Sequence, residues 1–182
     1  MSRISTYPID TTVDVNDLLI GTDSVDSNIT KNYTIESIIN LRGGYINAAD
    51  VTGTSVTNIA LTDTIYPLAA VFTAGLSNLW SVRTGADANT LLYSGTQTSV
   101  FLVIASVVVL GGTGDVVDFF LHKNGTAILS TQQRTEVYPS GQATVMTMVS
   151  MSAGDYVGLS IRNDTDADDV TTDQVSIAVH AV

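Results

Sequence analysis

The chain has no cysteine, which excludes disulfide bridges and thiolate chemistry. Its stability must come from packing or from oligomerisation. Positive charge is also scarce. Seven Lys and Arg face eighteen Asp and Glu across 182 residues, for a net charge of −11. Such a chain repels phosphate backbones and anionic bilayers, which argues against nucleic-acid and membrane partners. Long apolar runs are missing too. The longest, "VFLVIASVVVL" from Val100 to Leu110, falls short of the roughly 20 residues of a membrane helix. The opening "MSRISTYPID" lacks an apolar signal core, so the expectation is a protein made and assembled in a cytosol. Charged residues of both signs make up 14% of the chain, against about 25% in ordinary domains.

Thr, Ser, Gly, Val and Asn fill the place of the missing charges, a composition that favours strands and turns. From about residue 69 onward, short apolar stretches alternate with turn signals. Expected strands are Ala70–Thr73, Leu79–Thr84, Thr90–Tyr93, Ser99–Leu110, Asp115–His122, Ala127–Gln132, Ala143–Ser152, Tyr156–Arg162 and Gln174–Val182. Many strands at regular spacing with no helices between them indicate an all-β jelly-roll sandwich. The run Val100–Leu110 is apolar on both faces. In a two-sheet sandwich its second face needs a cover, and another subunit is the expected one. The strand-like pattern continues to Val182, which pins that end inside a sheet.

Residues 1–42 read differently. Leu18-Leu19-Ile20 runs into the turn Gly21-Thr22-Asp23, and Tyr33-Thr34-Ile35 forms a second short strand. Thr34 then caps a short helix with Ile35, Ile38, Ile39 and Leu41 on one face, ended by Gly43-Gly44. This makes an N-terminal arm or mini-unit. Residues 43–68 are small, polar and aperiodic, and read as an extended linker. Residues 69–182 are the jelly-roll domain.

Chemistry-bearing residues are few. His122 and Asp118 lie on one strand face, but a spacing of four separates them by about 13 Å, too far for a hydrogen-bonded pair. The structural reading, a histidine at a strand end, is preferred over a catalytic one. Asn124-Gly125-Thr126, Asn28-Ile29-Thr30, Asn32-Tyr33-Thr34 and Asn163-Asp164-Thr165 match the glycan-acceptor pattern. Asn124-Gly125 is also the preferred pair of a type I′ hairpin turn. In "NDTDADD" the carboxylates Asp164, Asp166 and Asp168 alternate, which makes them weak candidates for a divalent cation. The Gly and Glu that an EF-hand requires are Asp169 and Val175 here. "GGTGD" at 111–115 lacks the Lys and Ser/Thr of a phosphate loop. Glu36 and Glu136, the only glutamates, form no glycosidase pair. Trp80 and Tyr93 are candidates for a sugar platform or for core packing. No enzyme activity and no cofactor are expected.

Two resemblances are carried by particular stretches. "FFLHKNGTAI", "VSMSAGDYVGLSIRND" and the final "VSIAVHAV" resemble the complement globular-head and tumour-necrosis-factor-like jelly rolls over about residues 69–182. There a strand ends in a Lys-Asn-Gly turn, a later strand enters through Gly-Asp and an aromatic, and the final strand lies mid-sheet. The resemblance implies a homotrimer packed through the inner sheet, with Phe101, Val103, Val107, Val109 and Val179 expected in the interface. The stretch "YPIDTTVDVNDLLIGTDSVDSNITKNYTIESI" resembles the N-terminal unit of tailed-bacteriophage virion proteins. That implies docking on the major capsid protein of a phage head through Leu18, Leu19, Ile20, Tyr33, Ile35 and Ile38. A gap of about 25 residues between the two parts argues against a long fibre, and a decoration or cement trimer fits the length better. The expectation is therefore a capsid cement or decoration protein on the outer surface of the virion. The alternatives are a short tail or head fibre tip that binds host-surface carbohydrate and, ranked last, a polysaccharide hydrolase.

Overall fold

The computed structural model describes residues 18–23, 29–34, 44–111 and 114–182. The chain divides into two compact units, 1–42 and 43–182. Within the first, β1 (Leu18–Asp23) and β2 (Ile29–Thr34) form an antiparallel hairpin with Leu19 opposite Tyr33 and Gly21 opposite Lys31. The expected helix carrying Ile35, Ile38, Ile39 and Leu41 lies outside the described residues.

The second unit is all β. Its strands are β3 (Tyr45–Asp50), β4 (Ser55–Thr57), β5 (Tyr66–Pro67), β6 (Thr73–Asn78), β7 (Trp80–Val82), β8 (Thr90–Tyr93) and β9 (Ser99–Leu110). They continue with β10 (Asp115–Lys123), β11 (Thr126–Ala127), β12 (Gln133–Val137), β13 (Ser140–Met151), β14 (Tyr156–Asn163) and β15 (Val170–Ala181). Two antiparallel sheets result. One runs β13-β9-β15-β3-β6 with β4 beside β15; the other runs β11-β10-β14-β8-β7, with β12 beside β10 and β5 beside β14. This is the jelly-roll sandwich that the strand and turn spacing indicates, and the final strand does lie mid-sheet.

Alternation with period two fixes which side chains go inside. Val103, Ala105, Val107 and Val109 of β9 meet Val117, Phe119 and Leu121 of β10 and Leu159 and Ile161 of β14 in one buried core. Each fully buried aliphatic or Phe side chain contributes about 1.5–3 kcal/mol. Trp80, Tyr93 and Phe101 close one part of it, with ring centroids 4.9 to 5.2 Å apart. Packing, and not a sugar platform, is therefore the role of Trp80 and Tyr93.

Residues 43–68, expected as an extended linker, instead belong to the sandwich. β3 pairs with β15 along its whole length, and Ile46 and Ala48 are buried. Asp50 ties the segment down. Its carboxylate accepts hydrogen bonds from Thr52 N and Oγ1, Ser55 Oγ and Val71 N, at 2.7 to 2.9 Å. Burial opposes its ionisation, yet these donors hold its pKa down at about 2. Only Ile46 of the inward row is a large apolar residue, with Ala48 and Asp50 after it, so the alternation is faint in the sequence. Two further differences lie near β10. Residues 129–131 form a 3-10 turn instead of a strand, and the polar stretch Gln133–Val137 pairs with β10 at the sheet edge.

Candidate self-association face

β9 was expected to be apolar on both faces, and the structure resolves which row goes where. Phe101, Val103, Val107, Val109 and Val179, expected in a trimer interface, are at most 2% exposed and belong to the core. That assignment is corrected here: these five are consumed by the other sheet and are closed to a partner. The row out of phase with them, Val100, Leu102, Ile104, Ser106, Val108 and Leu110, faces outward. The phase was ambiguous in the sequence because both rows of β9 are apolar.

Register aligns this outward row with its neighbours. Thr144, Ser106, Ser176 and Ala49 form one rung across β13, β9, β15 and β3. Met146, Ile104, Ala178 and Asn47 form the next, and Met148, Leu102, His180 and Tyr45 the one after. Met146 and Met148 are 63% and 66% exposed. Ser106 Oγ and Thr144 Oγ1 share a hydrogen bond of 3.0 Å, so this polar rung satisfies part of itself and can be covered at little cost. A shallow groove of about 680 Å³ crosses the β3–β6 side, bordered by Val51, Val71, Ala74, Ile104 and Ala178.

Charge is the decisive feature. The outward rows of β13, β9 and β3, and of β15 from Gln174 to His180, contain no Asp, Glu, Lys or Arg. The chain as a whole carries −11. The other sheet, by contrast, bears Lys123, Arg134, Glu136 and Arg162. β13, β9 and β15 are 12 residues long and β3 is six; at about 3.4 Å per residue and 4.8 Å per strand, the four present a footprint of roughly 700 Å². A stable protein interface takes about 800 Å² from each partner.

The remaining candidates are accounted for on the other sheet. β10 is buried on both faces. On the face away from the core, Asp118, Phe120 and His122 are each at most 1% exposed. Arg134 and Arg162 both bind the Asp118 carboxylate, at 3.0 and 2.5 Å, and both also bind Asp164. Burial disfavours the charged form of Asp118, but hydrogen bonds from Arg134, Gln132 and Arg162 hold its carboxyl below the ordinary range. Burial and the neighbouring Asp118 push Asp164 upward. Asp164 is thus committed to arginines, Asp166 Oδ1 accepts from Asn163 Nδ2 and Asp168 N, and Asp169 accepts from Ile59 N. These carboxylates do not converge on a cation position.

His122 Nδ1 lies 2.9 Å from Ser160 Oγ, both groups sealed from solvent. The carboxylate that would complete a triad, Asp118, is held by arginines instead. Gly158 sits directly opposite His122, and a Cβ there would lie 2.7 Å from Nε2. The Asn124-Gly125 turn is as expected, with φ of 50° and 78°, the pair of positive values of a type I′ turn. Asn124 Nδ2 donates to Asp155, Tyr156 N donates to Asn124 Oδ1, and Lys123 pairs with Asp155 at 2.8 Å. The Lys-Asn-Gly and Gly-Asp-Tyr turns are thereby joined, and the acceptor amide of Asn124 is already bonded within the fold.

Burial lowers the His122 pKa to about 4, against an opposing backbone hydrogen bond at Leu159. An unfolded chain takes up this proton near pH 6.5. Since the folded pKa is the lower one, stability is constant above pH 6.5 and falls as pH drops towards 4. The slope reaches about 1.4 kcal/mol per pH unit and the total about 3 kcal/mol. Urea unfolding from pH 7 to 4 should show this limb, and His122→Gln should flatten it.

Of the expected docking residues, Leu18, Leu19, Ile20 and Tyr33 lie on the β1–β2 hairpin, while Ile35 and Ile38 are outside the described residues. No protein-family model matches the chain, and no curated protein matches it. Solved structures do. A tumour necrosis factor, Eiger from S. frugiperda, is 15% identical at a TM-score of 0.47, covering 76% of this chain and 92% of that one. Rabbit GITRL is 12% identical at a TM-score of 0.39, covering 75% and 93%.

Proposed function

We propose that this chain is a non-enzymatic structural protein that assembles into a homotrimer through the outward face of the β13-β9-β15-β3-β6 sheet. One observation carries the reading: an apolar, charge-free face on a chain of net charge −11. Two acidic molecules repel unless the surfaces they bring together are neutral, and burial of apolar area supplies the attraction. The remaining surface keeps its negative charge and stays soluble at high local density.

The trimer is read as a decoration or cement protein on the outside of a bacteriophage head, with the major capsid protein as partner. The N-terminal unit is its docking element. Its action is mechanical, since bound area across capsid junctions opposes expansion under internal pressure. The carbohydrate-binding fibre tip is less favoured. Among the described residues the exposed aromatic rings are Tyr45 and Tyr138, and Tyr45 lies on the assembly face. The test is binding of the purified chain to empty heads of the phage that encodes it. The full chain should bind saturably, and a chain lacking residues 1–42 should remain trimeric without binding. A full-length trimer that ignores heads would refute the capsid reading.

A further inference from the structure

We propose that His180 makes this assembly acid-sensitive, so that the face closes while the imidazole is neutral and opens when it is protonated. The inference rests on the self-association reading above. His180 is exposed in the isolated chain and stands on the outward row of β15. Register places it between Leu102 of β9 and Tyr45 of β3, with Met148 of β13 beyond Leu102. Its immediate surroundings are thus an aliphatic, a thioether and a phenol.

The groups able to answer a charge there are few. Tyr45 is the other titratable side chain on the outward rows of β13, β9 and β3 and of β15 from Gln174 to His180. Asp173 stands at the bulge at the far end of β15. The other histidine, His122, is on the opposite sheet against Ser160 and Tyr156.

A second copy laid on this face takes the His180 ring out of water. A neutral imidazole tolerates that, because it keeps one donor and one acceptor for neighbouring hydroxyls and water. An imidazolium does not. It loses hydration without gaining a carboxylate on the neighbouring strands. A symmetric assembly brings in one such ring per subunit, so the charges also repel one another. Imidazoles change charge between pH 5 and 8. Linkage therefore requires each subunit to shed this proton on assembly. The dissociation constant should rise roughly tenfold per subunit for each pH unit below the onset of protonation.

The experiment is sedimentation velocity of the full chain at pH 7.5 and 5.5, with near-UV circular dichroism at both to confirm folding. Wild type, His180→Gln and His180→Phe are compared by the ratio of their dissociation constants at the two pH values. This ratio is informative whatever a variant's affinity at pH 7.5. The expected result is a folded wild type that is assembled at pH 7.5 and dissociated at 5.5, with a ratio near one for both variants. A wild type equally assembled at both pH values overturns the switch and leaves the self-association reading standing. Variants that keep the wild-type ratio overturn it as well, by placing the acid sensitivity elsewhere. A wild-type monomer at pH 7.5 removes the self-association reading, and the switch with it.

Discussion

Replacing Ile104 with glutamate is expected to yield a folded monomer. Ile104 is central on the outward face, with Met146 on one side of its rung and Ala178 on the other. In the isolated chain its side chain borders solvent, so a carboxylate there stays hydrated and folding stability should change by less than about 0.5 kcal/mol. In the assembly the same carboxylate is buried against uncharged neighbours, at a cost of several kcal/mol per subunit. The dissociation constant should rise by roughly a thousandfold or more. Leu129→Glu is the control. Leu129 is 65% exposed on the 3-10 turn beside β10, away from the proposed face, and a charge there should leave assembly intact. Sedimentation of the two variants beside the wild type checks both statements.

Asp118→Ala should have the opposite profile, with a large loss of stability and no direct effect on the assembly face. Asp118 is fully buried and neutralises two arginines that also share Asp164. Arg162 additionally lies over the Phe120 ring, 5.7 Å from its centroid. Removing the carboxylate leaves two guanidinium groups with one acid between them. Arg134 is 56% exposed and stays hydrated when its partner is lost, so the cost is about 2–3 kcal/mol, or roughly 5–10 °C in melting temperature for a domain of this size. Asp118→Asn keeps an acceptor oxygen and should recover part of the loss. Thermal unfolding monitored by circular dichroism gives both values. If Asp118→Ala melts within 2 °C of wild type, the ion cluster is not a stabilising element.

The two sheets thus divide their work. The sheet around β10 pairs its charges with one another through Asp118, Arg134, Arg162 and Asp164, whereas the outward rows of β13, β9 and β3, and of β15 from Gln174 to His180, carry none. That division was partly legible in the sequence. The alternation in "YVGLSIRN" and "VSIAVHAV", and the Asn124-Gly125 turn between two apolar stretches, fix β14, β15 and the β10 hairpin by local chemistry alone. The second apolar row of Val100–Leu110 was legible as well.

What escaped was the phase of that strand. In β9 both rows are apolar, and only the pairing partners decide that Phe101 and Val103 go inside while Leu102 and Ile104 go outside. The five residues expected to face a partner therefore lie on the core row. β3 escaped because its inward row offers a single large apolar residue, Ile46, followed by Ala48 and Asp50, and Asp50 is buried only because four donors surround it. β12 escaped because an edge strand tolerates a polar sequence such as Gln-Arg-Thr-Glu. The burial of His122 beside Ser160 depends on Gly158 across the strand, a pairing that sequence spacing does not reveal.

The central claim is that the charge-free face is covered by further copies of the same chain. Sedimentation equilibrium of the full chain at pH 7.5 and micromolar concentration tests it most directly. One species at three times the 19.2 kDa chain mass is expected. A monomer at that concentration would contradict it.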